Sequence, residues 1–74
     1  MWTTGKMKVG KRTVRYEVKH FDEGSIYGIY EGRISKLWFR FDDGEEVNYD
    51  REWDIRPKTA DAKEVLRQLI AKFN

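Results

Sequence analysis

Trp38 stands between Lys36 and Arg40 in the run Arg33-Ile34-Ser35-Lys36-Leu37-Trp38-Phe39-Arg40-Phe41. In an extended chain alternate side chains share a face, so Ile34, Lys36, Trp38 and Arg40 stand together. An aromatic ring flanked by cations can stack on a nucleobase while the cations take phosphates. The same set can anchor a protein interface, where tryptophan and arginine carry much of the binding energy. Asn48 and Asp50, in the next extended run, face the same surface and temper its positive charge. Arg33 adjoins the set and adds a cation for a small anionic ligand. Arg33, Ile34, Lys36, Trp38, Arg40, Asn48 and Asp50 are therefore the candidate partner-binding residues.

No catalytic constellation accompanies them. His20 is the only histidine, and it reads as a surface residue at a strand end beside Phe21 and Asp22. A general base needs a positioned nucleophile or substrate group, and the usual partners are missing. No catalytic residue and no enzyme activity are expected. Asp42-Asp43 and Glu45-Glu46 could offer oxygen ligands to a hard cation. Asp-Asp-Gly is also ordinary hairpin chemistry, and the spacing of a calcium loop is absent, so no metal site is assigned. Gly28, Gly32 and Lys36 do not form a phosphate loop, because no helix follows them. No cofactor is implied.

The chain has 74 residues, which corresponds to one domain. Charged residues make up 38%, yet the net charge is only +2. The signs are interspersed, unlike the basic stripe of a strong nucleic-acid binder. There is no cysteine, which removes disulfides and thiolate zinc sites and favours a cytoplasmic location. No apolar run approaches the roughly 20 residues of a membrane span, and the N-terminus lacks the apolar region of a signal peptide. Membrane association is not expected. Aromatic residues at 15% suit a small core built from large side chains.

The elements that position Trp38 follow from alternation. From Arg33 to Phe41, Leu37, Phe39 and Phe41 fall on one side, opposite Ile34, Lys36, Trp38 and Arg40. From Glu45 to Trp53, Val47, Tyr49 and Trp53 oppose Glu46, Asn48, Asp50 and Glu52. Period two with aromatic and branched residues marks strands, and Asp42-Asp43-Gly44 between them marks a hairpin. A two-residue loop would set Phe41 against Glu46 and Phe39 against Asn48. A three-residue loop pairs Phe39 with Val47 and Leu37 with Tyr49, and on the other face Arg40 with Glu46 and Lys36 with Asp50. Both faces match only in the second register, so it is preferred, with Gly44 as the bulge residue.

Trp2 to Val9 and Thr13 to Phe21 form an N-terminal hairpin around Gly10-Lys11. Val14, Tyr16 and Val18 face inward, opposite Arg15, Glu17 and Lys19. Ile26 to Tyr30 reads as a short extended piece, and the two nearby glycines mark a bend or a close approach. After Pro57, Thr59 is a helix N-cap and Asp61 lies in the first turn. Ala62, Val65, Leu66, Leu69, Ile70 and Phe73 then form one apolar stripe. The fold class is α+β: a four-stranded antiparallel sheet (ββββα) with one C-terminal amphipathic helix packed on one face. The other face stays open to solvent or a partner.

Several segments carry a resemblance. They are Tyr27-Gly28-Ile29, Gly32-Arg33-Ile34-Ser35-Lys36-Leu37, Asn48-Tyr49-Asp50-Arg51, Trp53-Asp54 and the opening Trp2 to Gly5. Together with the C-terminal helix they resemble a family of short uncharacterised proteins of Gram-positive bacteria and their phages, a domain of unknown function. The resemblance implies no activity. It implies a phage or mobile-element setting, in which small proteins inhibit host defence or sequester a protein or nucleotide. The expectation is a non-enzymatic interaction module that binds a protein partner, or itself, through the open face. The alternative is a nucleic-acid or nucleotide binder using the aromatic and basic side chains of that face.

Overall fold

The computed structural model describes residues 1–74. Its strands are β1 (Trp2–Val9), β2 (Arg12–His20), β3 (Ile34–Phe41), β4 (Glu46–Asp50) and β5 (Trp53–Ile55), followed by helix α1 (Ala60–Phe73). The strands form one antiparallel meander in chain order, β1-β2-β3-β4-β5. The helix covers one face. The core lies between them: Val14, Val18, Ile34, Leu37, Phe39, Phe41 and Val47 from the sheet meet Ala62, Val65, Leu69 and Phe73 from the helix. Ile29 closes one end of this core.

The central hairpin has the register that the alternation predicts. Phe39 pairs with Val47, Leu37 with Tyr49, Arg40 with Glu46 and Lys36 with Asp50. Phe41 N donates to Glu45 O at 2.8 Å and Gly44 N to Phe41 O at 3.0 Å. Gly44 has φ of 99°, a conformation in which a Cβ would be strained.

The sheet has five strands rather than four. The run from Glu45 to Trp53 folds back at Asp50-Arg51-Glu52, where Asp50 N donates to Glu52 O at 2.9 Å. Arg51 takes the left-handed conformation, with φ of 64°. Trp53 then pairs with Tyr49, and their rings meet edge to face with centroids 5.0 Å apart. The turn contains no glycine or proline, so the alternation runs through it unbroken.

A second departure moves Ile34. Lys36 pairs with Lys19, but Ile34 pairs with His20. Ser35 is therefore an extra residue on β3, a bulge whose hydroxyl donates to Lys19 O at 3.4 Å. Inserting one residue reverses the alternation. Ile34 turns to the core face and is fully buried. The expectation that it stands beside Lys36 and Trp38 is corrected.

The segment Ile26 to Tyr30 is not extended. Ile29–Glu31 is one turn of 3-10 helix, closed by Glu31 N donating to Gly28 O and Gly32 N to Ile29 O, both at 2.9 Å. Tyr30 and Glu31 both have positive φ, 53° and 57°. A Cβ on Gly28 would collide with the carbonyl oxygen of Gly32. Gly28 thus allows the loop to fold onto itself, and Gly32 leaves room for the Asn74 side chain.

Helix α1 starts where its cap requires. Thr59 Oγ1 accepts from Ala62 N at 3.1 Å. At the other end, Asn74 Nδ2 donates to Ile29 O at 3.1 Å and its Oδ1 accepts from Ile34 N at 3.0 Å. The helix is tied to the sheet at its start by Arg12. This guanidinium reaches Asp43 at 2.8 Å, Glu45 at 2.7 Å and Asp61 at 3.2 Å, and lies 3.7 Å from the centre of the Phe41 ring.

Candidate binding face

The open face is built by register. Across the strands, Lys6 stands beside Arg15, Arg15 beside Arg40, and Arg40 beside Glu46. The next row is Thr4, Glu17, Trp38 and Asn48. The third is Trp2, Lys19, Lys36 and Asp50. Neighbouring strands are about 4.8 Å apart, and rows two residues apart are separated by roughly 6.8 Å. Trp38 is half-buried in the middle row, with a row of cations on one side and Lys19 and Lys36 on the other.

Two shallow hollows flank the ring. One, of about 400 Å³, is lined by Lys6, Thr13, Arg15, Trp38, Arg40 and Asp42 among others. The other, of about 360 Å³, includes Thr4, Lys6, Arg15, Glu17 and Trp38. Lys6, Arg15 and Trp38 border both.

The charges on this face are unevenly matched. Lys36 Nζ lies 3.7 Å from Asp50 Oδ1. Asn48 Nδ2 donates to Asp54 Oδ2 at 2.9 Å. Glu46 stands opposite Arg40 in the ladder, but its carboxylate accepts from Trp38 Nε1. The ion pairs of the chain involve Arg12, Lys36 and Arg67; Lys6, Arg15 and Arg40 have none. Like charges directly opposite across a ladder destabilise it; this row sets Lys6, Arg15 and Arg40 side by side, with Glu46 at its end as the one carboxylate.

Arg12 shows the contrast. Its carboxylate partners fix it in place, and the hydrogen bonds from Arg12 and from the Glu45 amide hold the Asp43 carboxyl below the usual carboxylate range. Asp43 and Glu45 are thereby engaged structurally, and no group of three or more His, Cys, Asp or Glu side chains is arranged to hold a metal ion. His20 stacks on Phe73 with centroids 4.9 Å apart and shares a hydrogen bond with Thr3 Oγ1, which gives it a packing role.

Of the residues singled out by the sequence, Lys36, Trp38, Arg40, Asn48 and Asp50 come together on the open face. Ile34 does not, for the reason given above. Arg33 is turned away to the helix end, where its Nε donates to Asn74 O at 3.2 Å. Lys6, Arg15 and Lys19 belong to the face and were missed. Their alternation marked them as outward-facing, but only the β2–β3 register sets Arg15 beside Arg40.

The family model for a domain of unknown function (DUF7678) matches residues 1–74, the full length of the sequence. No curated protein and no solved structure matches the chain. The chain belongs to the DUF7678 family.

Proposed function

We propose that this member of the DUF7678 family is a non-enzymatic binding protein whose open sheet face takes a single-stranded nucleic acid. The observation that carries this reading is the row Lys6, Arg15 and Arg40 beside Trp38, in which none of the three cations makes an ion pair. A fold that retains repulsion among cations gains from a polyanion that neutralises them. The row of cations and the Lys19–Lys36 pair lie four residues apart along the strands, roughly 13 Å. A strand running along β2 and β3 crosses both and lays a base on Trp38 between them. Stacking on an aromatic ring tolerates any base, so the reading implies little sequence preference.

A protein partner is the second reading, favoured by Glu17, Glu46 and Asp50, which alternate with the cations on the same face. The resemblance to short proteins of Gram-positive bacteria and their phages makes a mobile-element origin and a role against host defence part of either reading, and the lack of cysteine adds a cytoplasmic location.

Fluorescence anisotropy of a labelled oligothymidylate, titrated with the protein over a range of salt, tests the proposal. Phosphate contacts to the three unpaired cations on this path, Arg15, Arg40 and Lys19, give log K falling with log salt at a slope of roughly −2, from about −0.7 for each contact to a single strand. Arg15→Gln reduces that slope by about 0.7. Trp38→Ala keeps the slope and weakens binding by about 1–3 kcal/mol. Absence of binding at low salt overturns the nucleic-acid reading and leaves the protein partner.

A further inference from the structure

The sheet has one long free edge. β5 is three residues long, whereas β1 runs from Trp2 to Val9 with nothing beside it. Met1 and His20 exchange backbone hydrogen bonds, Met1 N to His20 O at 3.1 Å and His20 N to Met1 O at 2.9 Å. Bonded and non-bonded pairs alternate along an antiparallel ladder. Thr3, Gly5, Met7 and Val9 therefore direct their amides and carbonyls to β2. Trp2, Thr4, Lys6 and Lys8 direct theirs outward, into open space.

We propose that two copies of this chain pair β1 to β1, antiparallel, about a two-fold axis at Gly5. The side chains select that register. An axis at Lys6 sets Lys6 against its own copy, and an axis at Met7 sets Lys6 against Lys8; both oppose like charges. An axis at Thr4 leaves Lys8 unpaired. With the axis at Gly5, Lys6 of each copy lies opposite Thr4 of the other and Lys8 opposite Trp2. Every outward amide and carbonyl from Trp2 to Lys8 then has a partner, and each Lys8 ammonium meets an indole, a favourable cation–π pairing. The lysines on this edge, which elsewhere keep edges apart, here exclude the wrong registers.

The pairing makes one continuous open face. The row Thr4, Glu17, Trp38 of one copy continues into Lys6, Arg15, Arg40 of the other. The two Trp38 side chains stand five strand spacings apart across the sheet, roughly 24 Å. The dimer does not depend on what the face binds, so it stands or falls separately from the nucleic-acid reading.

Analytical ultracentrifugation and amide hydrogen exchange by NMR on the full chain, without ligand, test it. The expected result is a dimer in which the amides of Trp2, Thr4, Lys6 and Lys8 are protected along with those of Thr3, Gly5, Met7 and Val9. On dilution to monomer the first set alone becomes free. Thr4→Glu, facing Lys6 of the other copy, tightens the dimer and Thr4→Lys weakens it, each by about 2- to 30-fold from two symmetry-related pairs. A monomer at millimolar concentration overturns the proposal. So does a dimer in which the outward amides exchange freely, or one that Thr4→Glu and Thr4→Lys shift in the same direction.

Discussion

Arg15 lies directly across the β2–β3 ladder from Arg40, and neither guanidinium has a carboxylate partner. Lys6 extends the same row on β1. Glu46, which the register offers to Arg40, holds the Trp38 indole instead. The arrangement keeps the cations available and the ring oriented, at a cost to the fold.

That cost makes a prediction in which stability and binding move in opposite directions. Arg15→Glu places a carboxylate between Lys6 and Arg40. Cross-strand pairs of opposite charge contribute about 0.2–1 kcal/mol each, so the urea midpoint rises while oligonucleotide binding is lost. A fall in stability on this substitution would show that the row carries no repulsion.

The bulge at Ser35 gives the second. Ile34 is fully buried and Trp38 is half-buried. Ile34→Ala costs about 2–5 kcal/mol as a core truncation. A domain of this length has only about 4–11 kcal/mol in total, so the variant is close to unfolding at 37 °C. Trp38→Ala costs less. Denaturant melts of the two variants check the order, and the reverse order would return Ile34 to the open face.

Asn74 carries the third. Its side chain satisfies Ile34 N and Ile29 O, and it occupies the space where a Cβ on Gly32 would stand. Asn74→Ala leaves both backbone groups without their partner, at about 1–3 kcal/mol for each group that stays desolvated. Gly32→Ala displaces the same amide and has the same direction. Exchange of the Ile34 amide, measured by NMR, becomes faster in both variants.

The fourth concerns acid. Hydrogen bonds from Arg67 and then Gln68 hold the Glu64 carboxyl down at about 2, against an ordinary value of 4.5. Asp43 is lowered by Arg12. A carboxyl lowered in the fold stabilises it above the unfolded pKa and loses that contribution as pH falls through the folded one. These carboxyls therefore leave Tm unchanged above about pH 5 and make it decline from 4.5 toward 2. Glu64→Gln and Arg12→Met each make the decline shallower. Tyr49 acts at the other end: burial and then Glu52 raise its pKa, so its contribution is present below the ordinary value of 10 and is lost as pH rises beyond it.

By itself the sequence determined the strand faces other than that of Ile34, the β3–β4 register and the helix. These depend on periods of two and 3.6 and on turn and cap residues, all of which are local. The tight β4–β5 turn at Arg51 carried no such residue, and the Ser35 bulge is set by pairing with β2, which no local pattern reveals. The site divides in the same way. Lys36, Trp38, Arg40, Asn48 and Asp50 share one hairpin, so alternation alone brought them together. Lys6 and Arg15 reach Trp38 only because β2 pairs with β3 across the long Phe21–Arg33 connection, and a register between distant segments is decided by the packing of the whole core.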